Sequence, residues 1–339
     1  MPAKYKDTDY MYSSARLRAL ETKMLGREGC ERLLSAENVD EMLEVLADFG
    51  YRTVRKQDAD QRSKADREAT LFTALSDAFR EVAEILPQPH IVRLFQYKYD
   101  CNNIKAVIKA RGRGTDHKDM MFPLGTLGPE EVLEAVETGD YGALPEHMAS
   151  AAKEAADVYL KTKNPQKIDL ILDRACFADM LKAALESGVP FVIRYVRVKI
   201  DLTNILMCIR LLRMGAGNTG RSLYEDAIID GGELHREFLL GLYDRGESRL
   251  AEVLAGTAYS AFAAAIDADS SISRIEHEAD RYVMNMVRGV KWLPFGAELA
   301  AAYLVALEYG LTNIRIILAG KEAGLAEGAI RERMREMYV

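Results

Sequence analysis

Three glycines raise the first question of chemistry. In "MGAGNTGRS" (214–222), Gly215, Gly217 and Gly220 spell G-x-G-x-x-G. At that spacing a tight turn brings backbone N–H groups against a dinucleotide pyrophosphate. The chemistry also needs a strand before the glycines and an acidic residue about 20 residues on. The residues before them, "NILMCIRLLRM", read as helix. There is no Walker loop and no G-x-S-x-G. Cys30, Cys101, Cys176 and Cys208 lie far apart without a C-x-x-C, and His90, His117, His147, His235 and His277 show no H-x-x-x-H, so no metal site is expected. The carboxylates include no pair in a distinctive setting. These residue types point away from catalysis and from any cofactor. The glycines then read as punctuation: Gly112, Gly215 and Gly320 are candidate helix C-caps, with Gly217, Asn218 and Gly220 turning the chain onward.

The elements that must carry these residues are helical. In 58–86, Ala65, Ala69, Phe72, Leu75, Phe79, Val82 and Leu86 fall three or four apart, one stripe of an amphipathic helix. No stretch alternates with period two between hairpin turns. Pro87, Pro89, Pro123, Pro129, Pro145, Pro165, Pro190 and Pro294 fall at helix ends or starts. An all-α protein is expected. A net charge of -7 disfavours a nucleic-acid partner. The N-terminus has no apolar core of signal-peptide type. The longest uncharged apolar run, 253–266, is shorter than the roughly 20 residues of a spanning helix, so no transmembrane segment is expected.

The chain repeats itself. "KYDCNNIKAVIKARG", "KIDLTNILMCIRLLRMG" and "EYGLTNIRIILAGK" align on Asn103-Ile104, Asn204-Ile205 and Asn313-Ile314. Around each Asn the apolar stripe superposes: Tyr97, Cys101, Ile104, Ile108; then Val198, Leu202, Ile205, Ile209; then Leu307, Leu311, Ile314, Leu318. The common 4, 3, 4 spacing is one buried face of a helix. Upstream, Asp-Arg recurs at 66–67, 173–174 and 280–281, 107 residues apart each time. Three homologous helical units follow, 1–117, 118–221 and 222–339. We call the Asn-bearing helices the anchor helices.

Two readings of the repeated Asn are open. Three such side chains could line a common channel, or each is bonded at the edge of its apolar stripe. A buried unpaired amide costs roughly 1–3 kcal/mol, which favours the bonded reading. The Asp-Arg positions suit inter-helix contacts. The first two anchor segments are basic, with Lys105, Lys109, Arg210 and Arg213 near their C-terminal ends, whereas the third is near neutral and holds Arg315. These cations either complement the helix dipoles or form a positive rim that docks an acidic partner.

"QYKYDCNNIKAVIKA", "RYVRVKIDLTNIL" and the ending "EYGLTNIRIILAGKEAGLAEGAIRERMREMYV" resemble the C-subunit family of V-type (A/V-type) ATPases and ATP synthases, which is similar to the d-subunit of the eukaryotic membrane sector. The resemblance runs over nearly the whole chain. One departure is Gly310, where the first two copies have Asp100 and Asp201. The resemblance implies a funnel of three helical units around a pseudo-threefold axis. It would receive a rotor shaft of D and F subunits at its mouth and rest on the membrane proteolipid ring, peripheral on the cytoplasmic side. It implies torque transfer without chemistry of its own. The alternative is a free-standing α-helical scaffold.

Overall fold

The computed structural model describes residues 5–51, 64–115, 120–215, 217–266 and 270–339. His117 and residues 58–63 of the 58–86 stretch lie outside them. Among the described residues every regular element is a helix or a 3-10 turn. The chain forms two compact units, one from the N-terminal segment up to Val92 together with Met284–Val339, the other from Arg93–Val283.

The three anchor helices are His90–Arg113, Pro190–Arg213 and Glu298–Glu322. Eleven of the twelve stripe residues are buried, Tyr97 being intermediate. Proline sets several helix starts, standing first in Pro129–Thr138, Pro165–Ser187 and Pro190–Arg213. There its missing N–H is one that no helix would satisfy. The Asp-Arg pairs lie on helices Lys64–Ile85, Pro165–Ser187 and Ile272–Arg288, which we call the partner helices.

Helix Glu298–Glu322 is long and apolar enough to cross a membrane by length and composition, and 67% of its most apolar window is buried inside the protein. Leu299, Ala300, Ala301, Ala302, Leu304 and Val305 have no exposed surface. A helix apolar on every side is what a core position in this unit requires. The 253–266 run instead forms short helices Leu250–Leu254 and Ser260–Ala264.

The glycine assignments change in part. Gly215 ends its helix at φ +65°, but Gly112 and Gly320 lie inside theirs. A Cβ on Gly112 would sit 1.9 Å from the Tyr159 ring, and one on Gly320 would sit 2.6 Å from Ile330. These glycines allow close packing. The helix-ending residues are Gly114, Gly215 and Gly324, with φ of 67°, 65° and 65°, each eleven residues after its Asn. Thr115 and Leu325 then donate back to the Ala110 and Gly320 carbonyls at 3.1 and 2.9 Å, the closing bond of a Schellman turn. Gly217 and Gly220 do not form a loop: they open helix Gly217–Ala227, and the segment before them is a helix, not a strand.

Gly310 lies inside the third anchor helix with nothing within 4 Å of a built Cβ. Gly310→Ala should therefore stabilise the protein by about 0.5–1 kcal/mol, the gap between Gly and Ala in a helix interior. A lowered urea midpoint would show that the space is needed.

Candidate functional site

Each anchor Asn closes a two-bond clasp on the backbone of a later loop residue. Asn103 Nδ2 donates to the Phe122 carbonyl at 2.9 Å, and the Phe122 N–H donates to Asn103 Oδ1 at 2.7 Å. Asn204 does the same with Ile229 at 2.8 and 2.9 Å. Asn313 does the same with Arg335 at 3.0 and 2.6 Å. A carboxamide carries one donor group and one acceptor, so it answers a peptide's N–H and C=O together. Asn103 and Asn313 have no exposed surface and Asn204 has 2%. The bonded reading of the repeated Asn holds, and Ile104, Ile205 and Ile314 beside it are wholly buried.

One helical turn earlier, Asp100 and Asp201 hold the same loops. Asp100 accepts from the Thr126 N–H (3.0 Å), the Thr126 hydroxyl (2.7 Å) and the Leu127 N–H (3.2 Å). Asp201 accepts from Glu233 N–H (2.8 Å), Leu234 N–H (3.2 Å) and the Tyr259 hydroxyl (2.6 Å). The backbone donors stand four and five residues beyond the clasped residue in both copies. The residue just before them is glycine in both, and a Cβ there would lie 2.1 Å (Gly125) or 1.9 Å (Gly232) from the carboxylate. In the third copy the anchor position is Gly310 and the corresponding loop residue is Tyr338. The glycine and the carboxylate it accommodates are thus present together or absent together.

Burial pushes the Asp100 and Asp201 carboxyls above the usual aspartate range; their N–H and hydroxyl donors oppose this without cancelling it. Folding therefore takes up protons between the ordinary and the raised values. The stability these groups contribute is full below the ordinary value and is lost as pH rises through the raised one. Replacing both with Asn should flatten that part of the curve of denaturation midpoint against pH. An unchanged slope would assign it to other groups.

The five basic residues singled out in the anchor segments all have intrachain carboxylate partners. Lys105 pairs with Asp173 at 2.5 Å and Lys109 with Asp169 at 2.5 Å. Arg210 pairs with Glu276 at 2.5 Å. Arg213 pairs with Glu247 at 2.5 Å and also donates to the Ser270 carbonyl at 2.6 Å. Arg315 pairs with Glu68 at 2.9 Å and lies over the Phe72 ring. Two of the pairs are in register. Lys109 and Arg210 each stand six residues after their Asn, and their acceptors each stand four residues before an Asp-Arg. Lys105 and Arg315 each stand two after their Asn. The first anchor helix thus pairs with the second partner helix, the second with the third and the third with the first. An acidic ligand for these cations must compete with those carboxylates. Arg210 is the most open of the five, its side chain 45% exposed.

A triplicated helix–loop clasp with ion pairs between successive copies defines an all-helical internal-repeat protein whose recurring geometry is structural. The family model of the ATP synthase (C/AC39) subunit matches residues 13–333, and the chain belongs to that family. It is similar to the C-subunit of the V-type sodium ATPase of Enterococcus hirae, 24% identical with 95% of this chain and 97% of that one covered. It is also similar to the C-subunit of the A-type ATP synthase of Thermococcus onnurineus, 25% identical over 97% of this chain and 90% of that one. The A-type counterpart from Methanocaldococcus jannaschii is 23% identical over 95% and 85%. The chain is accordingly a subunit of a rotary ATPase or ATP synthase.

Proposed function

We propose that the chain is the central-stalk rotor subunit of its complex, a non-catalytic adaptor peripheral to the cytoplasmic side of the membrane. It couples a shaft of D and F subunits to the membrane proteolipid ring and passes torque between ATP hydrolysis or synthesis and proton or sodium translocation. The observation that carries this reading is the cyclic order of the ion pairs: first to second, second to third, third to first. That order supports three equivalent units, 1–117, 118–221 and 222–339, closed in a funnel around a pseudo-threefold axis. A closed set of units presents equivalent surfaces to one axis, as a socket for a shaft requires. The clasps suit the task, because each ties a later loop residue back to its anchor helix by two hydrogen bonds.

The test is a pull-down of the full chain against purified D–F shaft and, separately, detergent-solubilised ring. Retention by both is expected. Retention by neither would overturn the placement between shaft and ring. Within this reading the anchor-helix cations, Arg210 foremost, form part of the docking rim. Reversing Arg210 and Arg213 to Glu should weaken retention with helicity unchanged, and undiminished retention would take both out of the rim.

A further inference from the structure

The unit that joins the N-terminal segment to Met284–Val339 contains a cleft of about 530 Å3. Small-molecule sites run from roughly 300 to 1,000 Å3. Helix Met11–Glu21 and the turn after it line one side, and helix Lys64–Ile85 lines another. The deepest residues are Met24, Tyr51 and Ala78, with Tyr303 and Leu307 of the third anchor helix. Two phenols here have nothing to bond. Tyr51 is 7% exposed and Tyr303 is 6% exposed, and neither hydroxyl has a hydrogen-bond partner among the described residues. Other buried tyrosines of this unit are served: Tyr10 donates to Gln88 at 2.7 Å and Tyr338 to Glu21 at 3.0 Å. Burial, with Glu81 and Glu21 nearby, pushes Tyr303 up to about 12. Burial, with Tyr303 nearby, pushes Tyr51 up as well. Both keep their protons at neutral pH and can donate them. A buried donor without an acceptor is costly, so this pair is set for an acceptor from outside.

The charges around the cleft say what kind. Three cations and three carboxylates line it among the described residues, and four of these cancel in pairs: Arg16 with Glu81 at 2.5 Å, and Arg80 with Asp77. Lys23 and Glu84 remain, at opposite ends. The two helices run antiparallel, since Tyr10 meets Gln88 and Arg16 meets Glu81. The chain beyond Arg16 therefore heads toward Asp77 and Ala74, away from Glu84. Lys23 is exposed, has no carboxylate partner among the described residues, and precedes Met24, which shares a smaller adjoining cavity with Tyr51 and Leu307. The Tyr51 end of the cleft thus carries the positive charge.

We infer that the cleft binds a monocarboxylate with an apolar body: its oxygens accept from the Tyr51 and Tyr303 hydroxyls and pair with Lys23, while the body lies on Leu20, Met24, Phe49 and Leu307. A carboxylate has two oxygens and one charge, which match two phenols and one ammonium. Phosphate would bring extra charge beside Glu81 and Asp77 with no further free cation at that end. A neutral ligand would leave Lys23 unused. This binding does not depend on the chain's place in a rotor.

Hydrocinnamate is titrated into the full chain by calorimetry and thermal melting, alongside its neutral amide, phenylpropylamine and inorganic phosphate. The carboxylate should bind saturably at one site and raise the melting temperature. The amide and the amine should bind at least about tenfold more weakly, having lost the charge-assisted bonds. Tyr51→Phe and Tyr303→Phe keep the ring and remove the hydroxyl. Each should weaken the carboxylate roughly tenfold without lowering the melting temperature of the free chain, and Lys23→Gln should do the same. Absence of saturable binding overturns the inference. So does equal binding of the amide, or unaltered affinity in both Phe variants. Phosphate binding more tightly than the carboxylate overturns it in favour of an anion site without an apolar body. A lowered melting temperature in both free Phe variants overturns it by showing that the hydroxyls are already bonded.

Discussion

Gly232→Ala is expected to destabilise the chain by about 2–4 kcal/mol, in the range of overpacking at a site that cannot relax. The added carbon would lie 1.9 Å from Asp201 Oδ1 and 2.7 Å from its Cγ. Asp201 has no exposed surface and is held by the Glu233 and Leu234 N–H groups and the Tyr259 hydroxyl. It can move aside only by leaving buried donors unpaired. The loop has little freedom either, because the Asn204 clasp on Ile229 fixes it three residues earlier. The urea midpoint measures the cost, and a double-mutant cycle identifies its source. In an Asp201→Ala background the carboxylate is gone, so adding Gly232→Ala should cost much less. That coupling is about 1–3 kcal/mol for groups in direct contact. Additive effects would mean that the alanine clashes with something else. The third copy carries the same logic in its own sequence, with Tyr338 at the loop position and Gly310 at the anchor position.

Much of this arrangement was legible from the residues alone. The Asn-Ile register and its apolar stripe predict three buried helix faces, and the helices fall there because period-3.6 patterning is a local signal. The bonded state of the Asn was inferable from the cost of burying an amide. What each amide bonds to was not. Phe122, Ile229 and Arg335 stand 19, 25 and 22 residues after their Asn. The intervening chain differs in each copy, so no fixed period exposes the partners. A motif search of the loops alone would have found a weak signal, Gly125-Thr126-Leu127 against Gly232-Glu233-Leu234. The helix-ending glycines show how a residue type can mislead. Gly112 and Gly320 lie near the expected ends, yet they are small because Tyr159 and Ile330 pack onto them. The register eleven residues after each Asn, not proximity to the end, marks Gly114, Gly215 and Gly324. Of the cations, Arg210 and Arg213 stand in the last turn of their helix while Lys105, Lys109 and Arg315 lie farther in, and the carboxylate partners of Lys105, Lys109 and Arg210 lie on helices about 60 or more residues away. Composition within one segment does not reveal such partners.

Asn204→Leu should cost about 2–5 kcal/mol and should exceed the same change at Asn103 or Asn313. Leucine keeps the branching and heavy-atom count of asparagine but puts two bulkier methyls where the amide oxygen and nitrogen stood, so no cavity opens and the loss is of hydrogen bonding with some overpacking added. The substitution strands two backbone groups of Ile229, its N–H and its C=O, next to a side chain with nothing to offer them. Ile229 is 5% exposed and both clasp bonds there are buried, so desolvation is borne nearly in full. The clasps of Asn103 on Phe122 and Asn313 on Arg335 are only part-buried. Water can take over some of their bonds, which reduces the expected cost to about 1–3 kcal/mol. Asn204→Asp separates the two halves of the clasp. An ionised carboxylate can still accept from the Ile229 N–H, but it sets an oxygen against the Ile229 carbonyl where Nδ2 donated, so it should be no milder than leucine. Urea midpoints of the four variants test the ranking, and hydrogen exchange at the Ile229 amide tests the mechanism: protection should fall in Asn204→Leu and survive in Asn313→Leu. Equal costs at all three positions would mean that the clasps act through helix packing rather than through the loop they hold.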